Sequence, residues 1–321
     1  MKSAAAILLA SSFAAAAPAT AAPDVVVSIK PLHSLVAAVM NGVAEPALIV
    51  DGSASPHTYN LKPSNARTLQ NADLVFWVGP NMEAFLERPL QALSKDSTVV
   101  ALEHTPGLKT LPMREGGTFE PHADDDDHDA HAEAHDHDHA HGEEHEHEGI
   151  DTHLWLDPQN AKVLVQEIER RLIAVDPANI AVYNKNTMAV LQKIDALDAD
   201  IKKTVEPIKT KPFIVFHDAY QYFENRYHVT VAGSVTVSPE VAPGADRVRQ
   251  IHEKLQSLGA ACIFAEPQFT PKILQTVSAG TSAKTGVLDP EGANLKAGPN
   301  LYFELMQNLA SSLNECLSRA S

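Results

Sequence analysis

The stretch 177-PANIAVYNKNTMAVLQKIDALDADIKKTV-205 decides the fold. No Gly or Pro interrupts it between Ala178 and Glu206. Apolar residues recur at Val182, Met188, Leu191, Ile194, Leu197 and Ile201, at helical spacing. An uninterrupted helix of about 28 residues would be about 42 Å long, enough to cross a small domain. It reads as a rigid strut, and strand–helix alternation lies on both sides of it.

Before the strut, buried-strand patterns occupy 25–29, 47–50, 73–79 and 98–102. Helical spacing occupies 32–40 (stopped by Asn41-Gly42), a short segment that Ser64 can cap, and 82–93. Order resumes at 151-DTHLWLDP-158, where Asp157 is a natural N-cap and Pro158 the first helical residue, in a helix to about 175. After the strut, strands are expected at 212–216, 229–232, 261–265 and 285–288. Helices are expected at 219–227, 245–258, 270–279 and 301–317. Alternation of this kind predicts an α/β protein of two lobes with mostly parallel sheets, joined by one long helix. The division is 23–176 for the first lobe, 177–206 for the linking helix and 207–321 for the second.

The first 22 residues read as a cleaved signal peptide. Lys2 is followed by an apolar run from 4 to 17, too short to span a bilayer comfortably, and 19-ATAA-22 offers small residues for cleavage. No Cys follows for a lipid anchor, so an exported, periplasmic protein is expected. The two cysteines, Cys262 and Cys316, are expected to bond in that oxidising compartment. Closing their loop corresponds to roughly 4 kcal/mol in the chain-entropy model. Metal ligation by this pair is the less natural reading, since one lies in a core strand and the other in a terminal helix.

Residues 118–149 are a different kind of sequence. Nine of the sixteen histidines fall there: His122, His128, His131, His135, His137, His139, His141, His145 and His147. Thirteen Asp or Glu accompany them between 120 and 148, with no Lys or Arg. Such a segment has too little apolar surface to offset its ordering entropy, and is expected to be disordered and solvated. Imidazoles interleaved with carboxylates make a loose scavenger for divalent metal, Zn²⁺ foremost. The alternative is a solvated acidic linker, which has no need of nine histidines. The formal charge is −16, of which the tract supplies −13, so the remaining body carries about −3. With no basic stripe, nucleic acid is excluded as a partner.

Ligands of open α/β sheets bind beyond the carboxyl ends of strands. His57, His153, His217 and Asp289 pass that filter, two from each lobe. Three imidazoles with one carboxylate or water make a tetrahedral Zn²⁺ set. A lone histidine at a strand end is usually a hydrogen-bonded structural residue; His33, His104, His228 and His252, at helix or loop positions with no partner in sight, are read as structural too. Glu266 also stands at a strand end; beside Pro267 it reads as a turn anchor. Asp289 could equally cap the turn before Pro290.

The runs 55-SPHTYNLKPSNARTLQNADLVFWVGPNMEAFLERPL-90, 152-THLWLDPQNA-161, 213-FIVFHDAYQYFENRY-227, 262-CIFAEPQFTP-271 and 288-LDPEG-292 resemble the zinc-specific branch of the metal-binding solute-binding proteins of bacterial ABC importers. The resemblance covers essentially the whole mature chain. It implies two lobes on one backbone helix, with metal in the cleft between them. It also implies delivery of Zn²⁺ to a membrane permease with its cytoplasmic ATPase. The family's metal histidines fall on His57, His153 and His217. The manganese-binding relatives typically carry glutamate at the third position, so His217 favours zinc. An acidic His-rich loop is also typical of the branch. One departure matters: some zinc members carry Glu just before the first histidine, whereas here it is Pro56, leaving Asp289 or water as the fourth ligand. A zinc hydrolase is the competing class, but neither HExxH nor G-x-S-x-G occurs. A zinc buffer without a transporter is the third reading. A non-enzymatic monomer is the expectation.

Overall fold

A computed structural model of the chain describes residues 21–114, 119, 149–236, 243–258, 262–269 and 272–319. The leader expected over 1–22 falls outside these apart from its last two residues. All nine tract histidines, from His122 to His147, lie outside them as well.

The first lobe is built on four strands, β1 (Val25–Val27), β2 (Ala47–Leu48), β3 (Leu74–Trp77) and β4 (Thr98–Ala101). All pair in parallel, in the order β2-β1-β3-β4. The second lobe carries β5 (Phe213–His217), β6 (Val231–Thr236), β7 (Cys262–Ala265) and β8 (Lys284–Val287). These are also parallel, in the order β6-β5-β7-β8. The two sheets therefore share one strand order, a repeat with no visible counterpart in the sequence. The chain is α/β with two parallel-sheet lobes, as its alternation predicts.

The helices of the first lobe are α1 (Lys30–Val39), α2 (Pro63–Gln70), α3 (Ala84–Leu93) and α4 (Pro158–Val175). Pro63 opens α2, one residue ahead of the expected cap Ser64. Asp157 caps α4 as expected, its side chain accepting from Gln159 N at 2.9 Å. Gly42, at φ +84°, takes the left-handed turn that follows α1.

The strut is α5 (Ile180–Val205), preceded by one 3₁₀ turn over Pro177–Asn179. Its buried face runs Tyr183, Thr187, Val190, Ile194, Leu197, Ile201 and Val205. The second half follows the apolar stripe of the sequence, but the first half is rotated away from it. Met188 is 63% exposed, while the Tyr183 ring is buried and its hydroxyl donates to Asp176 Oδ2 at 2.7 Å. A tyrosine with a buried hydroxyl partner outweighs a flexible Met in choosing the inward face.

The second lobe is completed by α6 (Gln221–Tyr227), α7 (Ala245–Leu258), α8 (Lys272–Ser278) and α9 (Leu301–Arg319). The last helix crosses back. It packs on α5 and on α1 of the first lobe, and Tyr302 N donates to Ser34 Oγ at 2.9 Å.

One apolar core runs through the whole molecule. It joins Val27 and Val75 of the first sheet, Ile194 and Ile201 of the strut, Phe213, Val215 and Phe264 of the second sheet, and Leu309 of α9. A smaller, separate core fills the outer side of the second sheet: Ile214, Phe216, Val235 and Ile263 against Ile251, Leu255, Leu274 and Val277. Successive residues of β5 alternate between the two cores, as the period-2 geometry of a strand requires. Cys262 of β7 and Cys316 of α9 form a disulfide, spanning 54 residues of sequence. No helix among the described residues is long and apolar enough to cross a membrane.

Candidate metal centre

Three imidazoles converge between the lobes. His57 is carried by a 3₁₀ turn, Pro56–Thr58, whose N-cap Ser55 accepts from His57 N. His153 immediately precedes the turn Leu154–Leu156 that leads into α4. His217 is the last residue of β5, one place earlier than the sequence suggested. Ring centroids lie 5.6 Å (57–153), 5.9 Å (57–217) and 5.3 Å (153–217) apart. One ring nitrogen from each falls within 4.8 Å of the others, the one such set of three His, Cys, Asp or Glu residues among the described residues.

Two of the rings are oriented by carboxylates. His153 Nδ1 donates to Asp151 Oδ1 at 2.8 Å, and that oxygen also accepts from His153 N at 3.0 Å. His217 Nδ1 donates to Glu266 Oε1 at 2.7 Å, which further accepts from Tyr220 OH at 3.3 Å. With Nδ1 protonated on each neutral ring, both Nε2 atoms present lone pairs. These lone pairs face one another, Nε2 to Nε2, at 3.4 Å. Such a pair repels unless a proton or cation lies between. Two ligands of a tetrahedral Zn²⁺ with bonds near 2.1 Å stand about 3.4 Å apart, so this spacing fits zinc. Carboxylates behind metal-binding imidazoles are the usual means of fixing tautomer and direction.

Burial governs the charge states. The imidazoles of His57 and His153 are held well below their ordinary range by desolvation and then by neighbouring imidazoles. Burial also acts to lower His217, but the charge and hydrogen bond of Glu266, with Asp218 and Asp151, raise it on balance. Burial pushes the Asp151 carboxyl up to about 7, against the opposing effects of the His153 backbone N–H, Arg114 and His217. The cluster therefore keeps two of its three histidines neutral, the form that ligates metal.

Apolar rings wall the site. Trp155 lies 5.5 Å from His153, and Phe269 lies 6.2 Å from His217 while stacking on Phe216. Against His57 and His217 lies a cavity of about 10 Å³, lined also by Ser55, Pro56, Glu266, Gln268, Phe269 and Glu291. That volume holds one water-sized particle.

No carboxylate joins the three histidines in that set, neither Asp289, the sequence candidate for fourth ligand, nor Glu291. Asp289 Oδ1 accepts from Gln268 Nε2 at 3.2 Å and from Glu291 N at 3.2 Å, closing a turn. Sequence reasoning did not find Asp151 as a partner of His153, and it read Glu266 as a turn anchor. A signal existed for the first, two residues from His153; the second depends on β7 lying beside β5. Of the remaining histidines, His33 Nε2 shares a 2.9 Å hydrogen bond with Pro46 O, and His252 Nδ1 one of 2.9 Å with Val277 O. His228 caps α6 in the left-handed conformation.

Residues 25–316 match the profile of the ZnuA family, described as the periplasmic component A of the zinc-uptake complex. The chain is 56% identical over 307 residues to the high-affinity zinc uptake system protein ZnuA of Brucella suis biovar 1 (strain 1330), covering 92% of each. It is 40% identical to the protein of the same name from Paracoccus denitrificans (strain Pd 1222), covering 97% of each. Among solved structures, the periplasmic zinc-binding protein TroA from Treponema pallidum superposes with a TM-score of 0.75 at 20% identity, over 92% of this chain and 99% of that one. A crystal structure of ZnuA gives 0.73 at 22% identity, over 92% and 99%.

Proposed function

The chain belongs to the ZnuA family of periplasmic zinc-uptake components, and on that footing we propose that it captures Zn²⁺ in the cleft and hands it to a membrane permease with its cytoplasmic ATPase. Its family is a transport component, not an enzyme. The single observation that carries the reading is the pair of Nε2 atoms facing each other at 3.4 Å, each ring held from behind by a carboxylate. His57, His153 and His217 are the zinc ligands in this reading. The fourth position falls to water or to a carboxylate of the turn at 289–291.

The acidic tract, His122 to His147, acts as an accessory that gathers zinc at many weaker sites or senses its sufficiency. The cargo is the metal itself, so each binding event ends in release and not in turnover. Release proceeds through small shifts about the cleft, because a single continuous core and the strut oppose large rotation of the lobes. The protein acts as a monomer.

The test is zinc-limited growth of a deletion strain complemented with the wild-type chain or with His153→Ala. The proposal expects growth with the first and failure with the second. Equal growth with both would overturn it, and so would hydrolysis of simple esters or peptides by the zinc-loaded protein.

A further inference from the structure

The cavity beside His57 and His217 contains a carboxylate that the three-histidine set leaves unused. Glu291 lines it and is 9% exposed. Among the described residues its carboxylate receives no hydrogen bond and no ion pair; only its backbone N–H is engaged, by Asp289 Oδ1. A carboxyl set into a cavity wall with no donor beside it is uncommon in folded proteins. Its charge environment offers no structural reason. Burial first, then Asp289, Glu83 and Glu266, act against the ionised form, and among the charged neighbours Lys30 alone favours it.

The surrounding turn holds Glu291 in position. Asp289 is spent on the turn, its Oδ1 taking both Gln268 Nε2 and Glu291 N. Gly292 follows at φ +68°, a conformation that favours glycine. The buried ammonium of Lys30, from the first lobe, donates to the carbonyls of Gly292 (3.3 Å), Ala293 (2.8 Å) and Leu295 (3.2 Å). Trp155 Nε1, also from the first lobe, donates to Pro290 O at 2.9 Å. A second-lobe turn is thus fastened to the first lobe on both sides of Glu291. Pro56, which also lines the cavity, has no side-chain donor atom to offer an ion.

We propose that Glu291, and not Asp289, supplies the fourth ligand of the bound ion, through a carboxylate oxygen. This rests on the three-histidine reading above. A carboxylate ligand compensates part of the ion's charge where the three imidazoles give none, and completes a tetrahedral N₃O set. Asp289 is a positioning residue that shapes the turn.

The experiment compares the wild-type chain with Glu291→Gln, Asp289→Asn and His153→Ala. Three quantities are read: zinc affinity by chelator competition, the visible absorption of the Co²⁺-loaded protein, and thermal midpoints with and without zinc. For Glu291→Gln the expectation is a loss of zinc affinity of at least about tenfold, the lower end of what even outer partners command. A changed Co²⁺ spectrum and a metal-free midpoint unchanged or raised are expected with it, because the amide replaces a buried carboxyl that has no hydrogen-bond partner to lose. A purely structural Glu291 would lower the metal-free midpoint and leave the spectrum alone. Asp289→Asn is expected to lower the midpoint with little spectral change. An unchanged affinity and spectrum in Glu291→Gln, or a spectrum that responds to Asp289→Asn instead, overturns the assignment. Tight zinc binding retained by His153→Ala would sink the three-histidine reading itself. Loss there with no effect at Glu291 would sink only the present inference.

Discussion

The two cores of this protein share a strand and differ in everything else. The large core takes Phe213 and Val215 from β5 and is continuous with the strut, the first sheet and α9. The outer core takes Ile214 and Phe216 from the same strand and closes over them with α7, α8 and Phe269. The first is shared by both lobes, so it cannot be lost piecemeal. The second belongs to one flank of one lobe, and it can open while the rest stays folded. His217 ends β5 where both cores meet, and Glu266 follows β7, whose residues divide in the same way. His57 stands on a 3₁₀ turn outside both cores. Rigidity is thus concentrated where two of the three imidazoles are held.

The disulfide offers the strongest way to break the contrast, because Cys262 and Cys316 tie the divided strand to α9 in the large core. The double substitution Cys262→Ser/Cys316→Ser is expected to reduce stability to urea by roughly 4 kcal/mol, the chain-entropy value for a loop of this size. A change near zero would mean that packing of α9 already fixes the strand.

Cavities placed in the two cores sharpen the contrast. Ile194→Ala and Leu255→Ala should each cost about 2–5 kcal/mol locally. Hydrogen exchange separates them: Ile194→Ala should lower amide protection in both sheets, Leu255→Ala in α7 and α8 alone. Equal loss everywhere from Leu255→Ala would show one cooperative unit and no division.

The strut was legible because 26 residues without Gly or Pro, bearing a periodic apolar face, have few alternatives to a helix. His217 was legible because an apolar strand ended on it. The phase of the strut's first half was not: Met188 and Tyr183 are both acceptable inward residues, and only Asp176 in three dimensions decides between them. The common strand order of the sheets was hidden as well, since parallel pairing constrains burial and length more than identity. Glu266 shows the limit most clearly. Its partner is 49 residues away in sequence, and no local pattern could bring β7 beside β5.

The lobes can also be compared through their carboxylates. Asp151→Asn acts in the first lobe and Glu266→Gln in the second; each is expected to weaken zinc binding about 10–100-fold, measured by chelator competition. Similar losses would mean that both lobes grip the ion equally. A loss confined to one would place the grip in that lobe.

The smallest effect is a slope. An imidazole must be neutral to ligate, so a protonated histidine competes with zinc. The pKa of His217 is raised and those of His57 and His153 are lowered well below the ordinary range. As pH falls, His217 therefore takes up its proton first, starting above about 6.5. Below its pKa zinc affinity should fall about tenfold per pH unit, the mark of one competing proton, until the other two begin to protonate. A slope of three protons from the start, or none, would contradict the assigned order.

The most direct measurement of the central claim is a competitive Zn²⁺ titration of three proteins: the wild-type chain, one lacking residues 120–148, and the variant His57→Ala/His153→Ala/His217→Ala. The expected result is one tight site that survives the deletion and vanishes in the triple variant, with extra, weaker sites present only when the tract is present. Tight binding that disappears with the tract and persists without the three histidines would contradict the cleft as the cargo site.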